Sequence, residues 1–230
     1  MSNSVMWFRR DLRLEDNPAL IAASKAGNNG ASCEVTPLFV LDPMFLERSG
    51  APRLAFLFRS LRELNREMNG TLVVRVGNPV DVVAKVAQEV GATEVFAAKD
   101  FAPYGQKRDA AVGAALQKVG AKLNQVGSAY AVEPGTVRKA DMTPYAVFTP
   151  FSKIWLAHGW SAPTDKANVK FRGAPEIASE KIPDDPLLTA TIAAAGKKAA
   201  WDRWEYFVEN ALDKYKSERN NPDRDGCSQM

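Results

Sequence analysis

The strongest constraint on the fold is a regular alternation of short apolar runs with longer stretches of helical periodicity. Residues 5–8, 34–41, 72–76, 94–98 and 122–126 read as strands; the second opens with β-branched Val35 and Thr36 and continues as an apolar run. Between them, residues 17–25, 53–68, 80–90 and 104–119 read as helices. In the second of these, Leu54, Leu57, Phe58, Leu61 and Leu64 fall on one stripe. Asp16 or Asn17 can cap the first helix, with Pro18 in the first turn, where a missing N–H costs nothing. Strand and helix alternating through short links means parallel pairing with helices on both faces. The prediction is a doubly wound, five-stranded parallel sheet of Rossmann-like α/β class over about residues 1–130.

After Gly127 the pattern changes. Pro134-Gly135 and Thr143-Pro144 are turn signals, and residues 148–157 fit a short helix. Residues 159–185, rich in Pro, Lys, Asp and Ser, read as a linker over the surface, so 131–185 is assigned as an interdomain segment. Residues 187–195 and 199–217 read as helices opening a second, all-α unit over 186–230. Trp201, Trp204, Val208, Leu212 and Tyr215 share one face of the last helix, an apolar stripe expected to stay bare unless more protein covers it.

Composition serves mainly to exclude. A net charge of +3 with both signs interspersed lacks the basic footprint of a nucleic-acid surface. Two distant cysteines, Cys33 and Cys227, give neither a disulfide framework nor metal spacing. Charge follows directly on the short apolar run at the start, unlike a signal peptide, and no apolar window is long enough to span a bilayer. The expectation is a soluble, cytoplasmic protein with no membrane partner. The loop after the first strand, residues 9–15, contains no glycine, so dinucleotide and Walker-type phosphate loops are excluded. His158 is the only histidine and lacks ligand-spaced partners; no nucleophile elbow is present. No residue is assigned a catalytic or metal-binding role.

An open parallel sheet binds ligands beyond the carboxyl ends of its strands, where the strand order reverses. Three segments at such ends stand out: Arg9-Arg10-Asp11-Leu12-Arg13-Leu14, Leu41-Asp42-Pro43, and Lys99-Asp100-Phe101-Ala102-Pro103-Tyr104-Gly105. Together they offer aromatic walls, carboxylates and arginines, a set suited to a flat polar heterocycle. The plainer alternative is that these arginines and aspartates only pair with one another, each pair worth under about 1 kcal/mol.

These segments carry a resemblance. Trp7-Phe8-Arg9-Arg10-Asp11-Leu12-Arg13-Leu14-Glu15-Asp16-Asn17-Pro18-Ala19-Leu20 resembles the opening signature of the DNA photolyase and cryptochrome family. Phe39-Val40-Leu41-Asp42-Pro43, the run from Asp100 to Asp109, and Thr143-Pro144-Tyr145-Ala146-Val147-Phe148-Thr149-Pro150-Phe151 match further motifs in the family's order, with Ser152 where an aromatic is usual. Trp204, Phe207, Leu212, Tyr215, Arg219-Asn220 and Pro222 resemble the first helix of its flavin domain. Asp225-Gly226-Cys227-Ser228-Gln229-Met230 resembles the start of the flavin phosphate loop, with Cys227 in place of threonine.

The resemblance implies an amino-terminal light-harvesting part of a cyclobutane pyrimidine dimer photolyase, a carbon–carbon lyase driven by blue light and FAD. Most of the FAD domain would lie beyond this chain, so repair by the chain alone is not expected, and DNA would be contacted only through that further domain or a second polypeptide. The antenna pigment is expected at Phe39, Asp42, Arg53, Asp100 and Tyr104, with Tyr215 and Ser228 as part of an FAD site. The folate-binding type (MTHF) carries a carboxylate after the residue matching Tyr104; here that position is Gly105. A deazaflavin (8-HDF) is therefore preferred to folate, with FMN as the alternative. A cryptochrome-type photoreceptor and a stand-alone nucleotide- or pigment-binding module are the competing readings.

Overall fold

Period-two alternation along the first strand decides the two faces of the sheet. The computed structural model describes residues 3–27, 33–221 and 223–227. Strands β1 (Asn3–Phe8), β2 (Glu34–Leu41), β3 (Val73–Val76), β4 (Glu94–Lys99) and β5 (Lys122–Ser128) form a parallel sheet in the order β3-β2-β1-β4-β5. In register, Val5 faces Thr36 of β2 and Val95 of β4. Val5 and Trp7 point to one layer; Met6 and Phe8 point to the other.

Helices α1 (Pro18–Ser24) and α3 (Ala51–Glu67) cover the Met6/Phe8 face through Leu20, Phe58, Leu61 and Leu64. Helices α4 (Pro79–Glu89) and α5 (Pro103–Lys118) cover the other through Val83, Val86, Val112 and Leu116. A short α2 (Pro43–Arg48), not expected from the sequence, follows β2 directly. Of the two candidate caps for α1, Asn17 does the work: its side chain accepts from the Leu20 N–H at 3.1 Å.

The segment expected to be a surface linker is instead strapped to the sheet. Lys170–Phe171 forms a two-residue strand, β6, paired with Glu34 and Val35 of β2. The Val74 N–H donates to Ser179 Oγ at 2.9 Å, and the Glu180 N–H donates to the Val74 carbonyl at 2.9 Å. Ile177 joins the core, while Arg59 holds Asp185 at 2.6 Å and Arg62 holds the Pro183 carbonyl at 2.7 Å. A Cβ at Gly173 would stand 1.8 Å from the Thr71 carbonyl oxygen, so the strap requires glycine where it passes the chain just before β3. The physical result is an edge strand whose backbone is paired at Val74 rather than open there.

Helix α6 (Phe148–His158) forms as expected, one residue longer. Residues 187–195 do not form the expected helix: Thr189 and Thr191 are β-branched, Leu187 is exposed, and so short a run is marginal without packing. The expected helix over 199–217 is broken. α7 (Lys197–Asn210) ends where the Asn210 amide donates to the Tyr206 carbonyl at 2.9 Å, competing with the backbone. A 3-10 turn (Leu212–Lys214) and the single-turn α8 (Tyr215–Glu218) follow. Phe207 is buried, whereas Trp201, Trp204, Val208, Leu212 and Tyr215 are all exposed, as the bare stripe predicts.

Candidate functional site: a pocket at the strand ends

The chain runs outward from β1 to β2 and β3, then returns to β4 and β5, so the order reverses between β1 and β4. On the β2–β3 side of this point the sequence repeats one device, an Asx residue followed by proline at a helix start. Asp42 caps α2, accepting from the Met44 N–H at 3.0 Å, and Asn78 caps α4, accepting from the Val80 N–H at 3.0 Å. These caps fix the walls of a cavity of about 470 Å³ lined by Asp42, Pro43, Met44, Asn78, Val80, Tyr104, Lys107 and Arg108.

Tyr104 closes one side. Its hydroxyl donates to Asp42 Oδ2 at 2.5 Å, and its ring meets Phe45 edge-on at 5.0 Å. Because β1 lies between β2 and β4, this bond joins the α2 and α5 starts across the end of β1. Burial, together with the bond to the Asp42 carboxylate, pushes the Tyr104 phenol up to about 12.

Beside the cavity lies an arginine–aspartate network of the kind the plainer sequence reading describes. Asp109, almost fully buried, accepts from Arg9, from Arg108 Nε at 2.9 Å and from Gln125 Nε2 at 2.7 Å. Arg9 also donates to the Ala98 carbonyl, and burial lowers its guanidinium from the usual range against the pull of Asp109. The Arg9 and Arg108 guanidiniums lie 4.7 and 5.0 Å from the Trp7 ring centroid. Asp100 accepts from the Ala102 N–H at 3.1 Å and from Arg108 at 3.3 Å. Burial works to raise its carboxyl; the Ala102 N–H and then Arg10 and Arg108 outweigh it, holding Asp100 below the usual carboxylate range. The Asp100 carboxylate occupies the side-chain space of Gly105, where a Cβ would lie 2.3 Å from Asp100 Cγ.

Of the five residues expected at the pigment site, the structure brings Asp42 and Tyr104 together in the cavity wall. The other three do not line it. Phe39 is buried in the sheet core, Asp100 is tied into the arginine network, and Arg53 is exposed in the first turn of α3. Met44, Asn78, Val80, Lys107 and Arg108 escaped sequence reasoning; the Asn78-Pro79 pair, repeating Asp42-Pro43, was the available signal. Tyr215 packs edge-on against Phe207 at 5.9 Å and lines neither cavity. Ser228 lies outside the described residues. A larger cavity of about 620 Å³ sits between α3 and α7, against Leu12, Leu64, Trp201 and Trp204, and shares no lining residue with the first.

The profile of the DNA photolyase family matches residues 4–169. This chain belongs to that family. It is 33% identical to a deoxyribodipyrimidine photo-lyase of Thermus thermophilus, over 100% of this chain and 50% of that protein. An uncharacterized 31.6 kDa protein of Synechococcus sp. is 32% identical, over 97% of this chain and 81% of that protein. Among solved structures, a class III photolyase from Agrobacterium tumefaciens superposes with a TM-score of 0.80 at 26% identity, covering 99% of this chain and 48% of its own. The chain thus spans about half the length of the photolyases it matches. Among the described residues no helix is long and apolar enough to cross a membrane.

Proposed function

We propose that this chain is the light-harvesting α/β part of a photolyase, holding an antenna pigment in the cavity between Asp42, Asn78 and Tyr104. The observation that carries the reading is the cavity itself, bridged by the Tyr104–Asp42 bond beyond the strand ends. Its volume falls in the usual range for small-molecule sites, about 300–1,000 Å³. Pro43, Met44, Val80 and the Tyr104 ring supply apolar surface for a flat ring, and Asp42, Asn78, Lys107 and Arg108 add polar groups to the same lining. The pigment supplies blue-light absorption and passes excitation to a flavin; the residues of this chain orient it and keep water from its ring.

Deazaflavin is preferred to folate. Gly105 offers no carboxylate to a pterin, and the space a side chain needs there is taken by Asp100. On this reading, pyrimidine-dimer repair, the FAD site and DNA contact belong to a helical domain beyond or beside this chain. A photoreceptor role is the second reading, favoured by 39% identity to cryptochrome-2 of Gallus gallus over 52% of this chain.

The test is spectral titration of the purified chain with 8-HDF, the folate and FMN. Saturable binding of 8-HDF, weakened in Asp42→Ala, and no light-driven dimer repair are expected. Equal or tighter binding of the folate would overturn the pigment preference, and repair without added protein would overturn the division of labour.

A further inference from the structure

The larger cavity, between α3 and α7, is built by one close approach. Gly196, at φ 100°, lies against Glu63, where a Cβ would stand 2.8 Å from Glu63 Cγ, so the start of α7 is pressed onto α3. Trp201 and Trp204, three residues apart on α7, then line the cavity together with Glu63, Leu64 and Glu67 of α3. Leu64 is buried, whereas both indoles are exposed.

The charges of this lining are unequally committed. Lys197 holds Glu15 at 2.5 Å, and Arg13 donates from Nε and Nη2 to the Asp16 carbonyl at 2.9 and 2.7 Å. Glu63 accepts from Arg66 Nε at 3.1 Å. Glu67 forms no ion pair or hydrogen bond among the described residues, and it is the last residue of α3, where the helix dipole is negative. The cation–π contacts of the described residues use Trp7, Tyr104, Tyr206 and Tyr215, and neither of these two indoles.

We propose that this groove binds an organic cation, an ammonium group carried on an apolar or aromatic body. Charge complementarity selects it. The body replaces water against Leu64 and the indoles, the ammonium group lies beside Glu67, and the ring faces attract a cation but not an anion. An anion would meet Glu67 and find both cations of the lining already engaged. The site is separate from the strand-end cavity, with which it shares no lining residue.

The probe is 2-phenylethylammonium, compared with 2-phenylethanol and 3-phenylpropanoate, which keep the body and change the charge. Binding to the full chain is followed by the indole N–H signals in proton–nitrogen NMR, with Trp201→Phe and Trp204→Phe assigning two of the five tryptophans. The expected result is saturable shifts at Trp201 and Trp204, the amine binding about threefold to thirtyfold more tightly than the alcohol and the carboxylate most weakly. Glu67→Gln should bring the amine down toward the alcohol and leave the alcohol unchanged. Equal binding of the three probes, no saturation, shifts confined to other tryptophans, or an amine preference that survives Glu67→Gln would overturn the proposal. Sedimentation supplies the remaining outcome: a dimer that shields both indoles and excludes the amine makes a second copy the occupant, and overturns it as well.

Discussion

Gly105→Ala tests whether the wall of the site depends on one missing methyl group. An alanine Cβ at 105 would lie 2.3 Å from Cγ, 2.4 Å from Oδ2 and 2.7 Å from Oδ1 of Asp100. All three atoms belong to one short carboxylate, so Asp100 has to leave its seat. It then gives up the Ala102 N–H at 3.1 Å and Arg108 at 3.3 Å. The contact with Arg10 at 3.9 Å, made by a largely exposed arginine, adds little. Losing the two charge-assisted bonds, partly replaced by water, costs roughly 1.5–3 kcal/mol together. Alanine recovers about 1 kcal/mol over glycine near the start of α5, leaving a net loss of about 0.5–2 kcal/mol. In an Asp100→Ala background the obstructing atoms are gone, and Gly105→Ala should be neutral or slightly stabilising. Urea unfolding followed by circular dichroism on the four proteins gives the coupling, expected at about 1.5–3 kcal/mol. The same cost for Gly105→Ala in both backgrounds would refute the steric argument.

Three further outcomes follow from the same structure. Asp100 has a lowered carboxyl, so its contribution is present above the unfolded value, about pH 4, and is lost as pH falls through the folded one. Asp100→Asn should therefore lose less stability than wild type between neutral pH and acid in urea unfolding; identical acid limbs would count against the ion pairs. Tyr104, raised to about 12, should be the last tyrosine to ionise in an absorbance titration, and Tyr104→Phe should remove that final step. Its contribution is whole below pH 10 and is withdrawn as pH rises toward 12. Gly173→Ala, with a Cβ 1.8 Å from a backbone oxygen, should peel the strap and cost at least about 2 kcal/mol. Hydrogen exchange at Val74 and Glu180 should accelerate, and unchanged protection would show that the strap does not depend on Gly173.

The sheet was legible because its signals are local. The strand over Glu34–Leu41 was read with its observed bounds, since its apolar run is buried on both faces. The Asn17-Pro18 cap placed α1 within a residue at each end. The strap was not legible, because β6 is two residues long and its hold on β3 comes from Ser179, Glu180 and Gly173, partners distant in sequence. The same distinction runs through the site. Asp42 and Tyr104 follow strands and carry unusual groups, so the sequence singled them out. Phe39, expected from the resemblance, is packed in the core and does not line this cavity, a placement that an apolar side chain at a strand end does not announce in sequence. Asp100, expected on the same grounds, is committed to Arg108 and the Ala102 N–H, partners that follow it in the chain but whose hold on it is set by the turn into α5. Lys107 was missed because a lysine on a helix usually marks solvent, and only the approach of α4 turns it into a cavity residue.

The most direct check of the account is a crystal structure of the chain soaked or co-crystallised with 8-HDF or FMN. The account predicts the tricyclic ring in the cavity walled by Pro43, Met44, Val80 and Tyr104, with the Asp42 carboxylate within hydrogen-bond reach. A pigment seated elsewhere, such as the groove between α3 and α7, with this cavity filled only by solvent, would contradict it.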